Sequence, residues 1–158
     1  MNIYVASSWR NLSQPRIVHL LRDRGHQVYD FRHPAEDDNG FSWAQIDPDW
    51  QAWNSRAFQK ALSHPLFEKG FTLDKEALDR ADVVVLVLPC GRSAHLELGY
   101  AVGKGKLTAI LLSPEQNEPE LMYKMIDLIT SDEAGLFDWL AAVKAQRAAG
   151  PGQEERNP

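Results

Sequence analysis

Apolar positions along the chain fall into two patterns, short β-favouring runs and stretches with helical spacing. Asn2 to Ala6 (NIYVA) and Gln27 to Phe31 predict two strands, and between them Gln14 to Arg24 sets Ile17, Leu20 and Leu21 on one helical face before Gly25 ends it. Strand, helix and strand within some 30 residues is the size of a βαβ unit with a parallel pair. Ala81 to Leu88 (ADVVVLVL) is the strongest strand: a continuous Val/Leu run has no polar face, so it must be covered on both sides and belongs at the sheet centre. Ser93 to Gly103 follows as a helix, then Lys106 to Leu112 as a buried strand, Ile126 to Thr130 as a weaker one, and Ala134 to Arg147 as an amphipathic helix.

This alternation predicts a three-layer, doubly wound α/β domain over residues 1–147, flavodoxin- or Rossmann-like, with about five parallel strands. Ligands in such sheets bind beyond the carboxyl ends of the strands. The residues placed there are Ala6 to Arg10, Asp30 to His33, Pro89 to Glu97 and Leu112 to Pro114. Residues 33–70 fit no long pattern; they carry Trp43, Trp50 and Trp53, include a possible helix from Asp49 to Leu62, and read as an inserted lid or interface segment. The end of the chain, 148–158, has no apolar residue larger than Ala or Pro and reads as a disordered tail.

Composition narrows the function classes. At 158 residues the chain suits one core, and 17 Lys+Arg against 22 Asp+Glu give a net charge of −5, which argues against an extended nucleic-acid surface. A small anion held by one or two arginines remains compatible with that charge. One cysteine, Cys90, excludes a disulfide framework and multi-cysteine metal sites, and no stretch is long and apolar enough for a membrane span. The expectation is a cytoplasmic protein without a metal or cofactor. There is no GxGxxG and no Walker loop.

The candidate chemistry lies in two loops. After the central strand, Gly91, Arg92 and Ser93 lead into a helix whose N-terminal end favours anions, and Glu97 is read as a carboxylate near that end, held as the anion. It either faces a ligand over the sheet edge or points to water. After the first strand, Ser7, Ser8 and Arg10 supply hydroxyls and a cation suited to a phosphate. Asp74 reads as an acid near a helix start that either caps that helix or reaches the same cleft, and Asp82 as a structural turn residue. His95 and Glu97, two apart on a helix, share no face, so they make no metal pair.

The run Leu96-Glu97-Leu98-Gly99-Tyr100-Ala101-Val102-Gly103-Lys104-Gly105-Lys106, preceded by Ala81-Asp82-Val83-Val84-Val85 and by the opening Ile3-Tyr4-Val5-Ala6-Ser7-Ser8-Trp9-Arg10, resembles the nucleoside 2-deoxyribosyltransferase family and its relatives that hydrolyse 2′-deoxynucleoside 5′-monophosphates. The resemblance implies that Glu97 is the nucleophile at C1′ of the sugar and that Tyr4 helps to hold it. Asp74 implies a role in the sugar and base site and in proton transfer, through the pattern Asp74, Leu78, Ala81, Asp82. Ser8 and Arg10 match the Ser-x-Arg that holds a 5′-phosphate in the hydrolases. Arg92 and His95 depart from the usual small residues before the glutamate, with Arg92 offering a second phosphate contact and His95 an obstruction.

The implied function is cleavage of the N-glycosidic bond of a nucleoside 5′-monophosphate. The alternatives are a nucleoside 2-deoxyribosyltransferase, a TIR-like NAD glycohydrolase, and a nucleotide-binding sensor domain without turnover. The implied partners are a small nucleotide or nucleoside and further copies of the chain in a homodimer or larger homo-oligomer, with Met122 to Lys124 placed to reach a neighbour's site. The tryptophans of the insertion would stack on a base or pack in a dimer interface.

Overall fold

The computed structural model describes residues 1–114 and 119–149. Its elements are β1 (Asn2–Ala6), α1 (Gln14–Asp23), β2 (Gln27–Tyr29), α2 (Ser55–Ala61), α3 (Pro65–Arg80), β3 (Val83–Val87), α4 (Arg92–Gly103), β4 (Leu107–Leu111), β5 (Leu128–Thr130) and α5 (Glu133–Ala149), with short 3-10 turns at Trp43–Gln45, Trp50–Ala52 and Leu121–Met125. All five strands are parallel, in the order β2-β1-β3-β4-β5. This is the flavodoxin-like order, whose crevice opens between β1 and β3, where the winding reverses. None of the described helices is long and apolar enough to cross a membrane.

Alternation along the strands divides the core. Ile3, Val5, Val83, Val85 and Val87 face the α1 and α5 layer, with Ile17, Leu21, Leu136 and Leu140. Tyr4, Ala6, Val84 and Leu86 face the α3 and α4 layer, with Leu78, Ala94, Leu98 and Ala101. Tyr4, the largest fully buried side chain, thus puts a phenol into the layer that also carries Asp74 and Glu97.

Three boundaries differ from expectation. β2 ends at Tyr29 because Asp30 is committed elsewhere: its buried carboxylate accepts from Gln14 Nε2 at 2.9 Å and from the Arg32 N–H at 3.1 Å. The helix expected over Asp49 to Leu62 is two pieces, since Asn54 begins a new helix by accepting from the Ala57 N–H at 2.9 Å. Residues 65–70, read with the irregular segment, form the first turns of α3. Gly70 does not end that helix; a Cβ there would lie 2.9 Å from Phe41 Cβ, so glycine lets the insertion pack close to α3. α5 continues through Ala149, and the rest of the expected tail, 150–158, lies outside the described residues.

The tryptophans of the insertion largely find each other. Trp43 stacks on Phe67 of α3 at 5.4 Å and meets Phe41, Trp53 and Phe58 edge-on. Trp53 Nε1 donates to Asp47 at 2.5 Å. The segment therefore carries a small aromatic cluster of its own against α3, centred on Trp43.

Candidate active site

Tyr4 and Tyr29 are register partners on β1 and β2, so their rings lie side by side on one face of the sheet, 5.2 Å apart and nearly parallel. Above them stand two carboxylates from different helices. Asp74 is the tenth residue of α3, and its Oδ1 accepts a 2.7 Å hydrogen bond from the Tyr29 hydroxyl. Asp74 is therefore no helix-start acid: α3 begins at Pro65, and the helix carries Asp74 inward to the sheet. Burial raises its pKa, and the Tyr29 bond opposes that rise.

Glu97 also departs from its expected setting. α4 starts at Arg92, so Glu97 is its sixth residue and sits in the second turn, where the helix dipole has largely faded. The helix end does not hold its carboxyl as the anion. Burial, and then the negative charge of Asp74, push the pKa up to about 7, while contact with the Tyr4 hydroxyl pulls it down. The charge of Asp74 thus reaches Glu97, and both carboxyls act on Tyr4.

The Tyr4 hydroxyl is fully buried and lacks a partner in hydrogen-bonding geometry among the described residues. Burial and the charges of Glu97 and Asp74 raise its pKa, so it stays a neutral phenol. It does touch the Glu97 carboxyl, so the contact is a poorly aligned one rather than none. Cys90 lies near the same acid; burial and Glu97 raise its thiol to about 11, so it is a neutral small residue beside the site.

The loop after β1 is built by residues that carry no motif. Asn11, buried, donates to Ser7 Oγ at 3.0 Å and to the carbonyls of Val87 and Pro89 at 3.1 Å, which ties the loops after β1 and β3 across the crevice. Ser7 joins that tie, donating its hydroxyl to the Val87 carbonyl at 2.7 Å, so it is committed to the scaffold. Arg32 donates to the carbonyls of Ser8, Trp9 and Asn11 and holds the loop from behind. Ser8 Oγ accepts from the Arg10 N–H at 3.2 Å. The Arg10 side chain is exposed and makes no hydrogen bond or ion pair among the described residues.

Gly91 precedes α4 with extended backbone, and open space surrounds the position where a Cβ would stand. Arg92 and Ser93 are exposed at the helix start. His95 turns to Tyr123, with its Nε2 2.8 Å from the Tyr123 hydroxyl and Nδ1 3.1 Å from the Gly91 carbonyl. The ring is thereby engaged with the Leu121–Met125 turn, which also holds the exposed Met122. Asp82 is structural as expected, accepting from the Asn2 N–H at 2.8 Å and pairing with Arg147 at 2.7 Å.

Sequence reasoning missed Tyr29 and Asn11, and placed Arg32 among the residues beyond the strand ends without giving it a role. Tyr29 left one signal, its place at the end of a strand that pairs in parallel with β1. Asn11 left none, and Arg32 only its place after β2, because their value lies in reaching carbonyls of other segments.

With this geometry in hand, comparison with solved structures gives the fold a match. A 2-deoxyribosyltransferase from the psychrotolerant bacterium Bacillus psychrosaccharolyticus superposes with a TM-score of 0.60 and 22% sequence identity, over 85% of this chain and 88% of that one. The two chains share a fold. A CMP N-glycosidase of Clostridium botulinum, BcmB, gives a TM-score of 0.46 and 16% identity, over 88% of this chain and 97% of that one. No protein-family model and no curated protein matches the sequence.

Proposed function

We propose that this chain cleaves the N-glycosidic bond of a nucleoside 5′-monophosphate, with Glu97 as nucleophile and Asp74 as proton donor. One observation carries the reading: two partly buried carboxyls, delivered by α3 and α4, converge over a buried tyrosine at the crevice of the sheet. Breaking a bond to an anomeric carbon passes through an oxocarbenium-like state, which needs a carboxylate at C1′ and an acid at the leaving group. The shared fold with a 2-deoxyribosyltransferase supports sugar and base chemistry at this crevice.

In the proposed reaction a Glu97 oxygen bonds to C1′ while the C1′–N bond breaks and its electron pair leaves with the base. Asp74 supplies the proton to that nitrogen. Water then attacks C1′ of the glycosyl ester, returns Glu97 to its carboxylate and passes its proton to Asp74. Below about 7 the pair holds one proton, which in the free site the charge of Asp74 keeps on Glu97; the proposed reaction has that proton pass to Asp74 as the substrate binds, leaving Glu97 the anion. Tyr4 would steady the Glu97 anion with its hydroxyl.

Ser8 and Arg10 form the proposed 5′-phosphate contact, joined by Arg92 and the free N–H groups at the start of α4. Ser7, Gly91 and Ser93 shape the two loops, with the Ser7 hydroxyl spent on Val87. Arg10 is available for this role because nothing else engages it among the described residues. The unpaired arginine favours a monophosphate over an unphosphorylated nucleoside, and water over a second base as acceptor is the assignment that goes with it. A homo-oligomer is the proposed assembly.

The test is incubation with panels of ribo- and deoxyribonucleoside 5′-monophosphates, the matching nucleosides, and NAD, with free base or nicotinamide followed by chromatography. Base release from a monophosphate that is lost in Glu97→Ala is the expected result. Release of nicotinamide alone, base exchange without net hydrolysis, or saturable binding without turnover would each overturn it.

A further inference from the structure

We infer that Tyr29 is a positioning residue of the candidate site, fixing the Asp74 carboxyl by one oxygen so that the other is presented to the ligand; this rests on the function proposed above. The bond runs from the Tyr29 hydroxyl to Asp74 Oδ1 at 2.7 Å and links elements 45 residues apart, the end of β2 and the middle of α3. No other hydrogen bond to the Asp74 side chain is made among the described residues. Tyr29 is therefore what sets the rotation of this carboxyl, while Oδ2 remains uncommitted.

Tyr29 is itself held. Its ring stacks on Tyr4, whose own place is fixed by full burial in the sheet, and the two strands keep the rings in register. The stacked pair thereby serves the two acids separately, Tyr4 acting on Glu97 and Tyr29 on Asp74. A phenol suits this task because it donates one bond and remains neutral: burial, Asp74, Asp38 and Glu97 all raise its pKa.

A proton donor must meet its acceptor within hydrogen-bond reach, so a carboxyl free to rotate spends much of its time misdirected. The titratable groups coupled to this one are Tyr29 from β2, Tyr4 from β1 and Glu97 from α4, while Cys90 after β3 couples to Glu97, and Asp38, paired with Lys69 at 2.7 Å, couples to Tyr29. Of these, Tyr29 alone bonds to Asp74. Removing its hydroxyl leaves the ring stack and changes one bond.

The experiment compares wild type, Tyr29→Phe, Asp74→Ala and the double variant, each checked for an unchanged unfolding midpoint within a few degrees. In protein labelled with carboxyl 13C-aspartate, the Asp74 resonance should titrate at higher pH in Tyr29→Phe, since the lost bond is the influence that lowers its pKa. This arm needs no activity, so it separates failure of the inference from failure of the proposed function. In turnover, Tyr29→Phe should lower kcat by about tenfold with KM little changed, and should cost nothing further in the Asp74→Ala background. An Asp74 titration identical to wild type, or an equal loss from Tyr29→Phe with Asp74 already gone, would overturn the assignment.

Discussion

Asp74 reaches from α3 far enough toward Glu97 on α4 for its charge to raise the Glu97 pKa, second only to the effect of burial. Neither acid would be unusual alone at such a partly covered position; together they cannot both ionise cheaply. Because the reaction needs one ionised and one protonated carboxyl in the pair, kcat/KM for a nucleotide should fall as pH rises through about 7, where the pair loses its last proton. In Asp74→Asn the opposing charge is gone, and the Glu97 carboxyl, followed by 13C NMR, should titrate at lower pH. An unmoved titration would show that burial alone sets the value.

Stability should carry the same signature. Glu97 has a folded pKa above its unfolded value of about 4.5, so folding disfavours its ionisation. The cost is absent below that unfolded value and grows as pH rises through about 7. Glu97→Gln should therefore raise stability by about 1–2 kcal/mol at pH 8, a figure discounted for partial exposure, and by little at pH 4. Urea unfolding at the two pH values measures this; an equal gain at both would point to packing instead.

Arg32 and Arg10 should separate cleanly. Arg32→Ala removes three hydrogen bonds that hold the loop carbonyls of Ser8, Trp9 and Asn11, and should cost about 2–4 kcal/mol in denaturant unfolding. Arg10 is exposed and unpaired, so Arg10→Ala should leave stability within about 0.5 kcal/mol of wild type. It should raise KM for a 5′-monophosphate by about tenfold or more while leaving turnover of the matching nucleoside unchanged. Equal losses on both substrates would place the phosphate elsewhere.

Gly40 joins the insertion to the loop after β1. It has φ of +74°, and a Cβ would meet the Phe31 carbonyl oxygen at 2.4 Å and the Trp9 ring at 2.9 Å. Gly40→Ala should cost about 2–4 kcal/mol through backbone strain and overlap, and should shift tryptophan emission as Trp9 is displaced. Gly25→Ala, also at positive φ but with open space around it, is the control for strain alone.

The unbroken Val/Leu run and the helical spacing of Ile17, Leu20 and Leu21 sufficed to predict a parallel α/β sheet with β3 at its centre, because burial on both faces leaves no other pattern for such residues. The motif around Glu97 and the loop with Ser8 and Arg10 were legible for the same local reason: helix starts and strand ends are written in adjacent residues. Tertiary structure alone decided how the acids behave. The sequence places Glu97 as an anion at a helix start, yet it stands in the second turn, and burial and the charge of Asp74 lift its pKa to about 7. Asp74 reads from sequence as a helix-start acid, yet α3 begins nine residues earlier, at Pro65, where the His64 side chain accepts from the Leu66 N–H and caps the helix. Tyr29, Asn11 and Arg32 act across 45, 76 and 24 residues, respectively, in their bonds to Asp74 Oδ1, the Val87 carbonyl and the Ser8 carbonyl. A sequence pattern records local periodicity; desolvation and charge depend on what distant segments bring to the same place, and only the folded chain sets that.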